Sequence, residues 1–132
     1  MDLGELADRL DQAADRVGQE VRNTVSRQAT LLRAMIRGNA SGRPGPNIIT
    51  GRYWSSWRVE EFPVPNGGGA DVGTNEPQGR RLEFGFWDMT DSLGRHFFQP
   101  PYPHVEPAVN ALSPQYEQAF RAALDDIFGG GA

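Results

Sequence analysis

The 132-residue chain contains no cysteine and no lysine, and its histidines are only His96 and His104. Without cysteine, neither a disulfide scaffold nor a thiolate metal site can form. Neither histidine belongs to an i,i+4 pair, so no zinc-ligand spacing is present. Asp88 and Asp91 with Glu83 lack the spacing and central glycine of a calcium-binding EF-hand. No apolar run approaches the ~18 residues of a membrane span, and the acidic start MDLGELADRL is unlike a signal peptide. The chain is therefore expected to be made and used in the cytosol, or in something assembled there, with no membrane partner. There is no G-x-S-x-G, no P-loop and no triad pattern. The acids Glu60–Glu61 and Asp125–Asp126 are adjacent rather than facing, a poor arrangement for general acid–base work. These absences lead us to expect no catalytic residues, no cofactor and no metal.

What the chain does have is an uneven distribution of charge. Its formal net charge is −4. Residues 1–15 carry five acids (Asp2, Glu5, Asp8, Asp11, Asp15) against Arg9. Residues 16–58 carry eight arginines (Arg16, Arg22, Arg27, Arg33, Arg37, Arg43, Arg52, Arg58) against Glu20, and residues 59–132 carry eleven acids against four arginines. Such segregation suits an anionic partner, or head-to-tail stacking of copies of the same chain.

Apolar residues recur at Leu3, Leu6, Leu10, Ala13, Val17, Val21, Val25, Leu32 and Met35/Ile36. Steps of three, four or seven predict one long amphipathic helix over 2–37. At 1.5 Å per residue it is about 50 Å long, wider than a compact domain of this size, so it either bends near Gly18 or projects. SGRPGPN is a loop, and Thr50 is placed to cap a short helix reaching about Trp57. WRVEEF (57–62) alternates like a strand, PVPNGGG reads as a turn or flexible tip, and ADVGT (70–74) as the returning strand. GRRLEFGF (79–86) is a third strand or a helix-to-strand piece, and 87–103 a long loop. Pro107 opens a C-terminal helix to 128, within which Ser113-Pro114 offers a second start. The layout is α+β: a long N-terminal helix, a small antiparallel sheet of three to four strands, and a C-terminal helix packed on the sheet, all in one domain.

Three motifs follow in order: Thr50-Gly51-Arg52 with Ser56; Val72-Gly73-Thr74 leading to Leu82-Glu83-Phe84-Gly85; and Pro101-Tyr102-Pro103 leading to Glu106-Pro107-Ala108. Between a long first helix and a last helix, this series resembles the head–tail connector, or tail-completion, proteins of long-tailed bacteriophages, over roughly residues 40–125. The chain departs from that pattern at Gln78-Gly79 and at Phe86, and the segment 87–99 is an elaboration. The resemblance implies a structural virion protein without catalysis, forming a homo-oligomeric ring, commonly a hexamer. Such a ring sits at the neck, between a head-closure protein and the tail-tube or tail-terminator protein, with DNA only as passing cargo. It would be assembled in the host cytoplasm.

Several residues carry this reading. Tyr53, Trp54 and Trp57 allow a core, a base-stacking platform or an anchor for another chain; Tyr53 and Trp57 share one face and are assigned to the core, Trp54 to an interface. Leu82, Phe84, Phe120 and Leu124 are expected in the core. Glu83, flanked by Leu82 and Phe84, is expected to be partly buried and paired with Arg52 or Arg80. Arg16, Arg22, Arg27 and Arg33 are expected to face Glu60, Glu61, Asp71, Glu76 and Glu83 of a neighbouring copy, since a ring needs two different surfaces to meet. Phe86, Trp87, Phe97 and Phe98 make the aromatic-rich segment after the sheet a docking element. The alternative is a small nucleic-acid-binding module using the basic segment 16–58.

Overall fold

The structure, a computed structural model, describes residues 2–128, with the side chains of Trp87, Asp88, Met89, Phe97 and Phe128 outside the description. The glycines at 129–131, whose sequence reads as a flexible linker, lie outside the described residues.

The N-terminal helix, α1, is uninterrupted from Leu3 to Asn39. Asp2 caps it: its carboxylate accepts from the Glu5 N–H at 2.7 Å. Glu5 in the first turn and Arg37 in the last oppose the ends of the helix dipole. Of the two ways to house so long a helix, the chain uses projection. Residues 2–12 are all exposed, and burial begins with Ala13 and continues through Gly18, Thr24, Ala29 and Ile36.

Beside the buried part of α1 lies a hairpin of β1 (Arg58–Val64) and β2 (Gly67–Gly73), paired antiparallel from Arg58↔Gly73 to Val64↔Gly67. Pro65 and Asn66 form the two-residue turn, and Asn66 takes φ 60, which asparagine tolerates better than most residues. The glycine run expected to be a flexible tip is strand instead. It is glycine because α1 backs directly onto it: a Cβ on Gly67 would sit 3.2 Å from Val21 Cγ1, and one on Gly68 2.9 Å from Arg22 Cγ.

A one-turn helix α2 (Arg52–Ser55) precedes this hairpin, and a short helix α3 (Gln78–Phe84) and strands β3 (Phe86–Thr90) and β4 (His96–Gln99) follow it. The C-terminal helix α4 spans Val105–Phe128. The architecture is α+β as expected, with the four strands divided between two separate two-stranded ladders. α4 lies principally along α1, meeting the first hairpin where Val105 and Ala108 join Trp57 and Val72.

Three local expectations are corrected. Segment 87–103 is not a loop throughout, because it contains most of the β3–β4 hairpin. The overlooked signal is Asp91 followed by Gly94: Gly94 has φ 77, and the Asp91 carboxylate accepts from the Leu93 and Arg95 N–H groups at 2.9 Å and pairs with Arg95 Nε at 2.6 Å. Thr50 is not the N-cap of α2. Gly51 occupies that position in a left-handed conformation, while the Thr50 hydroxyl accepts from the Arg52 N–H at 3.3 Å. Ser113-Pro114 starts nothing, because α4 runs through it and the Ser113 hydroxyl bonds back to the Val109 carbonyl at 2.8 Å. Burial of Ala108 and Leu112, on the turns before Pro114, outweighs the missing proline N–H.

The core is small and centred where four segments meet. Ile36, Trp57 and Ala108 are buried together, with Leu32, Met35, Tyr53, Val72 and Val105 packed around them. Of the side chains expected in the core, Trp57 is buried and Tyr53, Leu82 and Phe120 are half-buried. Phe84 and Leu124 are surface residues, 71% and 42% exposed. Phe84 ends α3 and points away from the buried residue beside it, Glu83. Leu124 follows the buried Ala123, so the inward side of α4 at this turn carries its alanine and not its leucine.

Loop 40–47 is seated tightly on the end of α1 at Gly45. A Cβ on Gly45 would lie 1.9 Å from the Asn39 carbonyl oxygen, whereas one on Gly38 would meet nothing within 4 Å. Gly45→Ala is therefore expected to destabilise the protein by about 1–3 kcal/mol, because the obstacle is backbone. Gly38→Ala should stabilise it by up to about 1 kcal/mol through helix propensity alone. Urea unfolding of both variants checks the pair; equal effects would show that loop 40–47 is not seated on the helix end.

Candidate functional site: a buried polar node and the surfaces around it

The last helix begins at Val105, and its first N–H groups need acceptors from outside the helix. A carboxylate from a distant part of the chain supplies them. Glu83 Oε2 accepts from the His104 N–H at 2.8 Å and the Val105 N–H at 3.0 Å, and Oε1 accepts from the Glu106 N–H at 2.9 Å. Glu83 is 9% exposed. Burial pushes its carboxyl pKa upward, but the three backbone N–H groups and the nearby His104 outweigh burial and hold it below the ordinary value. The expectation that Glu83 pairs with Arg52 or Arg80, or faces a neighbouring copy, is thus corrected: the helix end neutralises it within its own chain. Arg52 pairs instead with Glu76, at 3.1 Å and with its side chain 80% exposed.

His104 extends the node. It is completely buried, and its Nδ1 faces two acceptors, the Tyr102 carbonyl at 2.9 Å and Glu83 Oε2 at 3.0 Å. A nitrogen facing two acceptors carries the proton, and in that tautomer of the neutral ring Nε2 accepts from the Tyr53 hydroxyl, 2.5 Å away. The Tyr53 hydroxyl is raised to about 12, first by burial and further by the charge of Glu83, with the neighbouring Trp57 indole N–H pulling the other way. That indole N–H lies outside the geometry of a formed hydrogen bond. Glu83, His104 and Tyr53 are ordered like a proton relay, but the phenol at its end stays protonated at neutral pH. Its hydroxyl is a donor that positions His104, and the arrangement supplies no phenolate nucleophile.

Around the node, the three sequence motifs become one set of contacts. Ser56 Oγ meets Thr74 Oγ1 at 2.6 Å, tying the first motif to the second. The Tyr102 N–H donates to the Leu82 carbonyl at 2.6 Å, tying the second to the third. A Cβ on Gly85, which has φ 72, would lie 2.7 Å from the Gln99 carbonyl oxygen and 2.8 Å from the Pro101 nitrogen, so only glycine fits there. Asn39 Nδ2 donates to the His104 carbonyl at 3.1 Å and brings the end of α1 to the same place.

Trp54, expected at an interface, is half-buried and held within the chain. Its Nε1 donates to the Arg37 carbonyl at 2.9 Å, and the Arg37 guanidinium lies 4.8 Å from its ring centroid. The same guanidinium donates to the Ser55 and Trp57 carbonyls, closing the end of α2. Trp54 is therefore a strut between α2 and α1.

The remaining surface residues do not share one location. Arg16, Arg22 and Arg27 are exposed along α1, and Arg33 is half-buried. Glu60 and Glu61 are exposed on β1, with Glu60 directly opposite Asp71 on β2. Two like charges facing across an antiparallel pair repel, so this patch gains from an external cation. Phe86 is half-buried and Phe98 is 59% exposed, while the expected docking side chains Trp87 and Phe97 lie outside the described ones. Sequence reasoning missed Leu3, Leu6 and Leu10 as an uncovered stripe, 84%, 43% and 62% exposed. The signal was present in the length of the helix. Among the described residues, no group of three His, Asp or Glu side chains is placed to hold a metal ion, and no helix is long and apolar enough to cross a membrane.

No protein-family model matches the chain, and neither the curated proteins nor the solved structures contain a match to it.

Replacing Glu83 with Gln removes the charge and turns an N–H toward donors. At neutral pH Glu83→Gln should cost about 2–4 kcal/mol. A lowered folded-state pKa contributes stability above the unfolded value and loses it as pH falls through the folded one. The gap between wild type and variant should therefore narrow as pH drops below about 4.5. Urea titrations at a series of pH values read this directly; a gap independent of pH would remove the charge from the explanation.

Proposed function

We propose that this protein is a structural component of a tailed-phage virion, forming a ring at the head–tail junction that completes the tail and joins it to the neck. The observation that carries the proposal is the free start of α1, where three leucines in one stripe stand exposed among acids. Apolar surface presented on a projecting rod is an assembly element, since its burial on a partner is worth on the order of 25 cal/mol per Å². The order of the three motifs supports the location in the neck. Each motif holds the next through Ser56–Thr74, Tyr102–Leu82 and Glu83–α4, so their order and spacing reflect one three-dimensional arrangement and not three separate coincidences. Neighbouring copies add a charge contact, with the arginine face of α1 against the Glu60, Glu61 and Asp71 patch. DNA passes through the lumen, and a protein that must let it slide does not hold it tightly.

Antibody labelling of purified tailed particles carrying this chain should mark the head–tail junction, and disrupting the gene should leave heads and tails unjoined. Absence of the protein from the particles would overturn the proposal. A monomer that binds DNA tightly, with affinity falling steeply as salt rises, would favour the nucleic-acid-binding alternative. The double variant Arg22→Glu/Arg27→Glu should keep the helical circular dichroism of the wild type while losing rings in negative stain. Normal rings from that variant would sink the charge contact.

A further inference from the structure

The structure contains both an uncovered stripe and an uncovered groove, at opposite ends of the same helix. The groove, of about 740 Å³, lies beyond the C-terminal end of α1, between loop 40–51, α2 and the β3–β4 hairpin. Ile48, Ile49, Trp54, Leu82, Phe86 and Phe98 give it an apolar wall. Ile49 is 92% exposed, which leaves the largest aliphatic surface of the loop facing solvent. Among its described lining residues there is no acid, and the charge present is Arg43. The guanidinium of Arg43 stacks 3.8 Å from the Tyr102 ring and so holds a fixed position at the groove.

Leu3, Leu6 and Leu10 fall at i, i+3 and i+7 and form one narrow stripe, flanked by Asp2, Glu5, Asp8 and Asp11 with only Arg9 in opposition. The stripe is apolar and its flanks are acidic, whereas the groove is apolar and its charge is basic. We propose that the N-terminal three turns of α1 from one copy dock in this groove of a second copy, leucines against Ile48, Ile49 and Phe98, acids toward Arg43.

A chain cannot make this contact with itself. Leu10 and Ala40, the groove residue at the end of α1, are thirty positions apart, a helical rise of about 45 Å with no break between them. Donor and acceptor surfaces are therefore different and belong to different copies, which is a heterologous contact. Repeated, it closes a ring if the rotation between copies permits and otherwise grows an open filament. The inference rests on the ring reading only in expecting copies to meet head to tail, and it is independent of any place in a virion.

Two surface variants separate the halves of the contact. Leu6→Glu/Leu10→Glu spoils the donor and Ile48→Glu/Ile49→Glu spoils the groove; all four side chains are exposed, so the fold is not at risk. In light scattering coupled to gel filtration, each variant alone should be monomeric at concentrations where the wild type is assembled. Mixing the two should give a one-to-one heterodimer, because the mixture contains one intact donor and one intact groove. Raising salt should weaken that heterodimer. Assembly of either variant like the wild type, or two variants that stay monomeric when mixed, overturns the contact and leaves the virion role standing. Open wild-type filaments that both variants abolish would support the contact and remove the closed ring.

Discussion

One carboxylate organises this protein. The last helix begins without a capping side chain of its own, and Glu83, some twenty residues upstream, fills that position with three backbone hydrogen bonds. A buried charge survives only where donors replace its water, and the start of a helix offers several N–H groups at the positive end of a dipole. Through His104 the same charge orients Tyr53, and through Tyr53 it reaches α2 and the Trp57 core. Four segments distant in sequence are thus held in register by a group whose loss would leave each with an unsatisfied partner.

This node also shows which parts of the fold were legible in the sequence. The two long helices were visible because their apolar periodicity extends over many turns, and β1 because its alternation needs only a few residues. Glu83 could be recognised as buried from its neighbours Leu82 and Phe84, but its partner could not. Backbone N–H groups carry no residue identity, so reasoning from side chains turned to Arg52 or Arg80. The glycines at 67–69 were read as slack because a sequence does not say what lies against them, and here it is α1 for Gly67 and Gly68 and the Phe62 ring for Gly69. Phe84 and Leu124 look like core by composition. Each is displaced outward by a neighbour, Glu83 or Ala123, that fits better against the structure behind it.

The candidate surfaces were legible in a different way. Charge segregation along the chain pointed to acids at one end of α1 and arginines along its middle, and the structure keeps that order because the helix is unbroken. What the sequence concealed was that the leucine stripe outruns its cover. Burial on the described part of α1 starts at Ala13, while the periodic pattern starts at Leu3. Trp54 shows the reverse case, a residue that looks available by composition yet is committed to Arg37 and Ser41. Exposure, more than residue type, separates the surfaces open to solvent from those already used within the chain.

The anchoring of α1 has a mechanical consequence. Among the described residues, burial along α1 begins only at Ala13, and the node and the glycine strand grip the part beyond it. The first three turns are therefore a cantilever: rigid, fixed at one end and loaded at the other. A small rotation of the helix where it is gripped becomes a larger sweep at Leu3, and the direction of that sweep is set by side chains tens of ångströms away. A force applied at the tip is likewise delivered to the hairpin and to the start of α4, where Glu83 takes it up.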